Sequence, residues 1–116
     1  MADHPIFQMP FSKVYHLYLT KVERKGRTKE EVDQIIMWLT TYTKTDLDVL
    51  INRYVSIKHF FVGAPEINPN AHLITGKICG ISVESIADPL MQRVRYLDKL
   101  IDELAKGRPL ERIFRK

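Results

Sequence analysis

Asp98 and Asp102 stand four residues apart in a stretch of helical periodicity, so one helix face carries two carboxylates. Such a pair can hold a metal ion or move protons. Here Arg95, Lys99, Glu103 and Lys106 are interleaved with it, and this alternation of sign reads as a salt-bridged surface. The four histidines, His4, His16, His59 and His72, are scattered and show no metal-ligand spacing. His59 has neither a carboxylate nor a second histidine four residues on, and reads as an ordinary rim histidine. The lone Cys79, between Ile78 and Gly80, reads as a buried, inert thiol. No GxSxG, HExxH, CxxC or Walker pattern occurs. The sequence therefore assigns no catalytic residue, no metal ligand and no cofactor, and leans away from an enzyme.

Two weaker groupings remain. Tyr15, His59, Asn68, Asn70 and His72 could line a polar ligand pocket if the fold gathered them. Lys21, Arg24, Lys25 and Arg27, with Arg93, Arg95, Arg108 and Arg112, could contact phosphate or nucleic acid. The net charge of +4 is concentrated: residues 92–116 carry eight Lys/Arg against four Asp/Glu, and the rest of the chain is balanced. Cations at helix C-termini also serve simply to complement the dipole. Residues 74–86, ITGKICGISVESI, have the cadence of a helix-turn-helix, with Ile81 inward and Ser82 as a cap. The would-be recognition segment is acidic, short and stopped by Pro89, with no Arg, Lys, Asn or Gln to read bases, so a structural hairpin of helices is the better reading.

The elements that would position these residues are helical. A chain of 116 residues supports one domain with a real core. No apolar run approaches the ~20 residues of a membrane span, and MADHPIFQMP lacks a basic, then apolar, leader. A cytoplasmic protein without membrane contact is expected. Residues 1–9 form an arm whose Ile6, Phe7 and Met9 should pack on the body or a partner chain; residues 10–116 form the helical domain. Phe11, Val14, Tyr15, Tyr18, Leu19 and Val22 define one buried face of a first helix, about 10–25, closed by Gly26. Thr28 and Glu31 form a capping box for the second, whose face is Val32, Ile35, Ile36, Leu39 and Tyr42. A third helix is expected from Thr45 with Asp48, presenting Leu47, Leu50, Ile51 and Tyr54. A fourth, short one is expected from Ser56 to Gly63.

Asn68 and Pro69 should open a fifth helix reaching Cys79, with Gly76 inside it and Gly80 at its end. An extended path over part of 72–83 is the minor alternative. Ser82 should cap a short sixth helix, 83–86. Asp88 and Pro89 should launch the longest, about 89–106, with Leu90, Val94, Leu97, Ile101 and Leu104 as its stripe. Pro109 should open a last small helix.

Two segments, KGRTKEEVDQIIMWLTTY (25–42) and NPNAHLITGKICGISVESIADPLMQRVRYLDKLIDELAKG (68–107), resemble the bacterial family called domain of unknown function 2200, over about residues 11–116. Thr41 departs from the pattern, which has glycine before the tyrosine. The resemblance implies a bacterial, cytoplasmic, stand-alone domain and carries over no activity or site residue. The sequence as a whole predicts an all-α, compact single-domain bundle of six or seven helices. The leading functional expectation, from its many apolar faces and lack of reaction chemistry, is a small non-enzymatic interaction or accessory protein, with a homodimer or a protein partner expected. Weak nucleic-acid binding and a ligand site assembled only in three dimensions are the alternatives.

Overall fold

The computed structural model describes residues 4–116. The first three residues of the expected arm lie outside the described residues. The rest of the arm is a 3-10 turn, Pro5–Gln8, with Phe7 buried. It packs on the body as expected: the Met9 carbonyl accepts from the Ile57 amide at 2.8 Å.

Six α-helices follow: α1 Phe11–Glu23, α2 Lys29–Thr40, α3 Lys44–Ile51, α4 Ile57–Val62, α5 Pro89–Ala105 and α6 Leu110–Ile113. α5, at 17 residues the longest, is the central strut. It packs against α1, α2, α4 and α6. Val94, Leu97, Leu100, Ile101 and Leu104 are buried along it, so the heptad-like stripe is an intramolecular core. Phe11 of α1 stacks on Phe60 of α4 with ring centroids 3.9 Å apart, which ties the N-terminal helix to the short one. Trp38 stacks on Phe114 beyond α6, anchoring the C-terminal turn to α2.

The start signals decide most boundaries. Thr28 and Glu31 make the full capping box of α2. Ser56 caps α4 by accepting from the His59 amide, and Asp88 caps α5 by accepting from Leu90 and Met91. The third helix corrects the expected start. Thr43 and Asp46, rather than Thr45 and Asp48, form its capping box. α3 ends at Ile51, and Tyr54, expected on its apolar face, lies beyond it and is 83% exposed. At the end of α2, Thr41 has φ +59°. A β-branched residue is strained there and glycine is not, which gives the expected family glycine a physical reason. The Thr41 hydroxyl donates to the Glu66 carbonyl at 2.9 Å, a bond glycine could not make.

The largest correction falls on residues 69–86. The expected fifth helix is only a 3-10 turn, Pro69–Leu73. The chain then forms an antiparallel hairpin, β1 Lys77–Ile78 with β2 Ile81–Ser82, pairing Lys77 with Ser82 and Ile78 with Ile81. Its two-residue loop, Cys79–Gly80, has positive φ at both positions, +52° and +78°. That is the primed geometry whose twist matches paired strands. Gly76, at φ +104°, bends the chain into β1 and cannot be a helix interior. Short apolar runs do not separate a period of two from one of 3.6, and here the β-branched residues and positive-φ glycines prevail. The helix-turn-helix cadence is therefore not realised. Ile81 faces out, Cys79 is exposed, and Ser82 makes no side-chain cap for the 3-10 turn Val83–Ser85 that replaces the sixth helix.

Candidate functional site

Among the described residues two carboxylates are buried, Asp33 and Glu103. Each collects cations, in different ways.

Asp33 lies on α2 beneath α1. The Tyr15 hydroxyl donates to it at 2.5 Å, Lys29 donates at 2.8 Å and Lys44 at 3.3 Å. Burial pushes its carboxyl upward, but the hydrogen bonds from Lys29, Tyr15 and Lys44 outweigh this and hold it below the ordinary value. The Tyr15 phenol is correspondingly raised, by burial first and by Asp33 second. The adjoining cavity, about 190 Å³, sets Glu30 and Asp33 against Lys44, so it holds no surplus of positive charge.

Glu103 lies near the C-terminal end of α5. Arg115 grips it with two bonds, Nη1 to Oε1 at 2.7 Å and Nη2 to Oε2 at 2.8 Å, the fork geometry that suits a carboxylate. Arg108 adds an ion pair at 3.3 Å and Lys99 another at 3.9 Å. Glu103 is also part of the wall of an open cavity of about 500 Å³, with Lys99, Lys106, Arg108 and Arg112 around it. Four cations thus surround one carboxylate that Arg115 already satisfies. The side chains of Lys106 and Arg108 are 73% and 48% exposed, and Arg112 makes no side-chain hydrogen bond or ion pair among the described residues.

Backbone turns and cross-chain hydrogen bonds frame this cavity. Gly107, at φ +95°, turns the chain out of α5. Arg27 reaches across from the α1–α2 turn, donating to the Arg108 carbonyl at 3.0 Å and forking onto Glu31. Lys99 runs over Gly76, where an added Cβ would meet its Cε at 3.1 Å, so the hairpin fixes one wall. On the flank, Asp102 takes both Lys21 (3.1 Å) and Lys106 (3.0 Å). Burial raises the Asp102 carboxyl, yet the bonds from Lys106 and Lys21 bring it below its ordinary value.

The proposed phosphate contacts thus separate into classes. Arg108 and Arg112 share the cavity, and Lys21 stands beside it through Asp102. Arg27 is committed to structure. Arg95 is paired with Asp98, which also accepts from the Tyr18 hydroxyl. Arg24, Lys25 and Arg93 do not line it. Lys99 and Lys106 make the salt bridges expected of this face, with Glu103 and Asp102, and both also line the cavity, which their charge alternation alone does not reveal.

The polar set does not converge. Tyr15 is spent on Asp33, and His59 is exposed at the start of α4 beside Ser56. Asn68 accepts from the Asn70 amide and donates to the Trp38 carbonyl, while Asn70 donates to the Arg115 carbonyl. The His72 ring lies 2.7 Å from the Pro69 carbonyl. The Asn68–Asn70 turn is a strap joining the end of α2 to the C-terminus. Among the described residues no three His, Cys, Asp or Glu side chains are grouped to hold a metal, and no helix is long and apolar enough to cross a membrane.

Comparison with known proteins adds a family. Residues 5–115 match the model of DUF2200, described as an uncharacterised protein conserved in bacteria. The chain belongs to this family. A crystal structure of the uncharacterised protein SP1917 superposes with a TM-score of 0.91 at 44% identity, over 97% of this chain and 92% of that one. Among curated proteins none matches. The DUF2200 match extends the resemblance seen in the two long segments into the Pro5–Gln8 turn, and neither comparison assigns an activity.

Proposed function

We propose that this DUF2200 protein is a small, non-enzymatic interaction protein whose α5–α6 junction engages the phosphate backbone of a nucleic acid. The observation that carries the reading is the excess of cations around the 500 Å³ cavity: Lys99, Lys106, Arg108 and Arg112 against Glu103, which Arg115 already holds, and Asp102, which takes Lys106. Exposed guanidinium and ammonium groups on a fixed backbone attract phosphates and release counterions from them. The β1–β2 hairpin offers no recognition helix, so the contact proposed is to backbone and independent of sequence.

The test is fluorescence anisotropy of a labelled single-stranded oligonucleotide titrated with the full chain at several salt concentrations. Three exposed cations, Lys106, Arg108 and Arg112, predict a log–log salt slope of about −2. The double variant Arg108→Gln/Arg112→Gln should lower both affinity and slope. Absence of binding at low salt, or binding indifferent to that variant, would refute the reading.

A further inference from the structure

We propose that the cavity between the Pro5–Gln8 turn and the segment leading into α4 binds a small phosphate ester carrying a flat ring, of the nucleoside monophosphate class. The cavity, about 520 Å³, is lined by Gln8, Arg53, Tyr54, Val55, Ser56 and His59. Three of these side chains hold nothing in place. Those of Gln8, Arg53 and Tyr54 make no hydrogen bond, ion pair or ring contact among the described residues. The contrast with other arginines is sharp: Arg27, Arg95, Arg108 and Arg115 each meet a carboxylate. Arg53 meets none, and no carboxylate is among the described residues that line its cavity. Tyr54 is 83% exposed, so its ring offers a flat apolar face on the same cavity as that cation.

Two antiparallel backbone bonds fix the floor. The Phe11 amide donates to the Val55 carbonyl and the Ile57 amide to the Met9 carbonyl, both at 2.8 Å. They set Gln8 against Val55 and Ser56. The Ser56 hydroxyl accepts from the His59 amide at 3.1 Å and stands 3.5 Å from Nδ1, which leaves Nε2 of His59 open to a ligand. Each group implies one part of that ligand. A guanidinium without a partner attracts an anion, and its fork suits phosphate. An exposed aromatic ring stacks on a base whatever the base is. The Gln8 amide and Ser56 hydroxyl suit sugar hydroxyls, which an aromatic carboxylate lacks. The volume is that of a small-molecule site rather than of a bare anion. Of the polar residues expected to gather, only His59 belongs here, and no residue lines both this cavity and the one at α5–α6.

The test is an amide chemical-shift titration of the labelled full chain with adenosine monophosphate, adenosine, ribose phosphate and inorganic phosphate. Adenosine monophosphate should saturate, with shifts centred on Gln8 and residues 53–59. The other three should each bind at least about tenfold more weakly, since each lacks a part. Arg53→Gln should weaken adenosine monophosphate about tenfold and leave adenosine unchanged. Tyr54→Ala should also weaken it about tenfold while leaving ribose phosphate unchanged, and Tyr54→Phe should bind as the wild type does. Both side chains are exposed and unpartnered, so these variants should melt with the wild type. Arg108→Gln/Arg112→Gln should leave this binding intact, so its failure and that of the nucleic-acid reading show separately. No saturation, shifts centred on residues 99–112, inorganic phosphate binding as tightly as the nucleotide, or affinity indifferent to either Arg53→Gln or Tyr54→Ala would overturn the proposal.

Discussion

Asp33 and Glu103 are buried to a similar degree, and both are held by cations, yet their surroundings differ in what is left over. At Asp33 a phenol and two lysines meet one carboxylate, and the adjoining groove is electrically mixed. The cluster closes on itself and joins α1 to α2. At Glu103 one arginine completes the carboxylate's bonding, and four further cations line an open cavity. The first arrangement is a pin; the second is a pin with surplus charge. A buried carboxylate is thus not informative in itself, and the charge that it fails to neutralise is.

The sharpest way to separate the two is to remove them. Asp33→Ala strips the acceptor from the buried Tyr15 hydroxyl and should cost about 3 kcal/mol of stability in urea unfolding, with oligonucleotide binding unchanged. Glu103→Gln keeps the shape but weakens the Arg115 fork. It should cost about 2 kcal/mol, and it should tighten binding because the cavity becomes more positive. If Glu103→Gln weakened binding, the surplus-charge account would fail.

Acid probes the Asp33 cluster directly. The folded value of Asp33 is depressed, so near its pKa the native state binds fewer protons than the unfolded chain. Its contribution is full above the unfolded value of about 4 and is lost as pH falls through the folded one. Thermal melting from neutral pH down to about pH 3 should show this loss, and Asp33→Asn should flatten it. The smallest expected effect on stability is that of Arg112→Gln. It should change unfolding by less than about 0.5 kcal/mol, since the side chain holds nothing in place. It should still weaken nucleic-acid binding several-fold at low salt.

Much of the architecture was legible because it is written locally. Thr28 with Glu31, Ser56, and Asp88 with Pro89 each announce a helix start within a few residues, and the α5 stripe repeats over four turns. The hairpin was not legible as the main reading. Ile74, Ile78 and Ile81 suit helix and strand alike over so short a run, and the deciding feature was the positive φ at Gly76, Cys79 and Gly80. The start of α3 was missed because Thr43-Lys44-Thr45-Asp46-Leu47-Asp48 contains two overlapping capping boxes. The basic cavity was half legible: the charge excess of residues 92–116 is plain in sequence, but the carbonyl grip of Arg27 on the Arg108 turn joins residues 81 apart. The structural role of Asn68 and Asn70 is equally hidden in sequence, because the Trp38 and Arg115 carbonyls that accept from them lie 30 and 45 residues away.

The central claim is that the surplus charge at α5–α6, and not the closed cluster at α1–α2, is the contact surface. Amide chemical-shift mapping during titration of the labelled full chain with a short single-stranded oligonucleotide tests it most directly. The account predicts perturbations concentrated at Lys99 and at residues 106–112, with Lys21 on the flank and Lys29 and Lys44 unmoved. Perturbations centred on Lys29 and Lys44, or none at low salt, would contradict it.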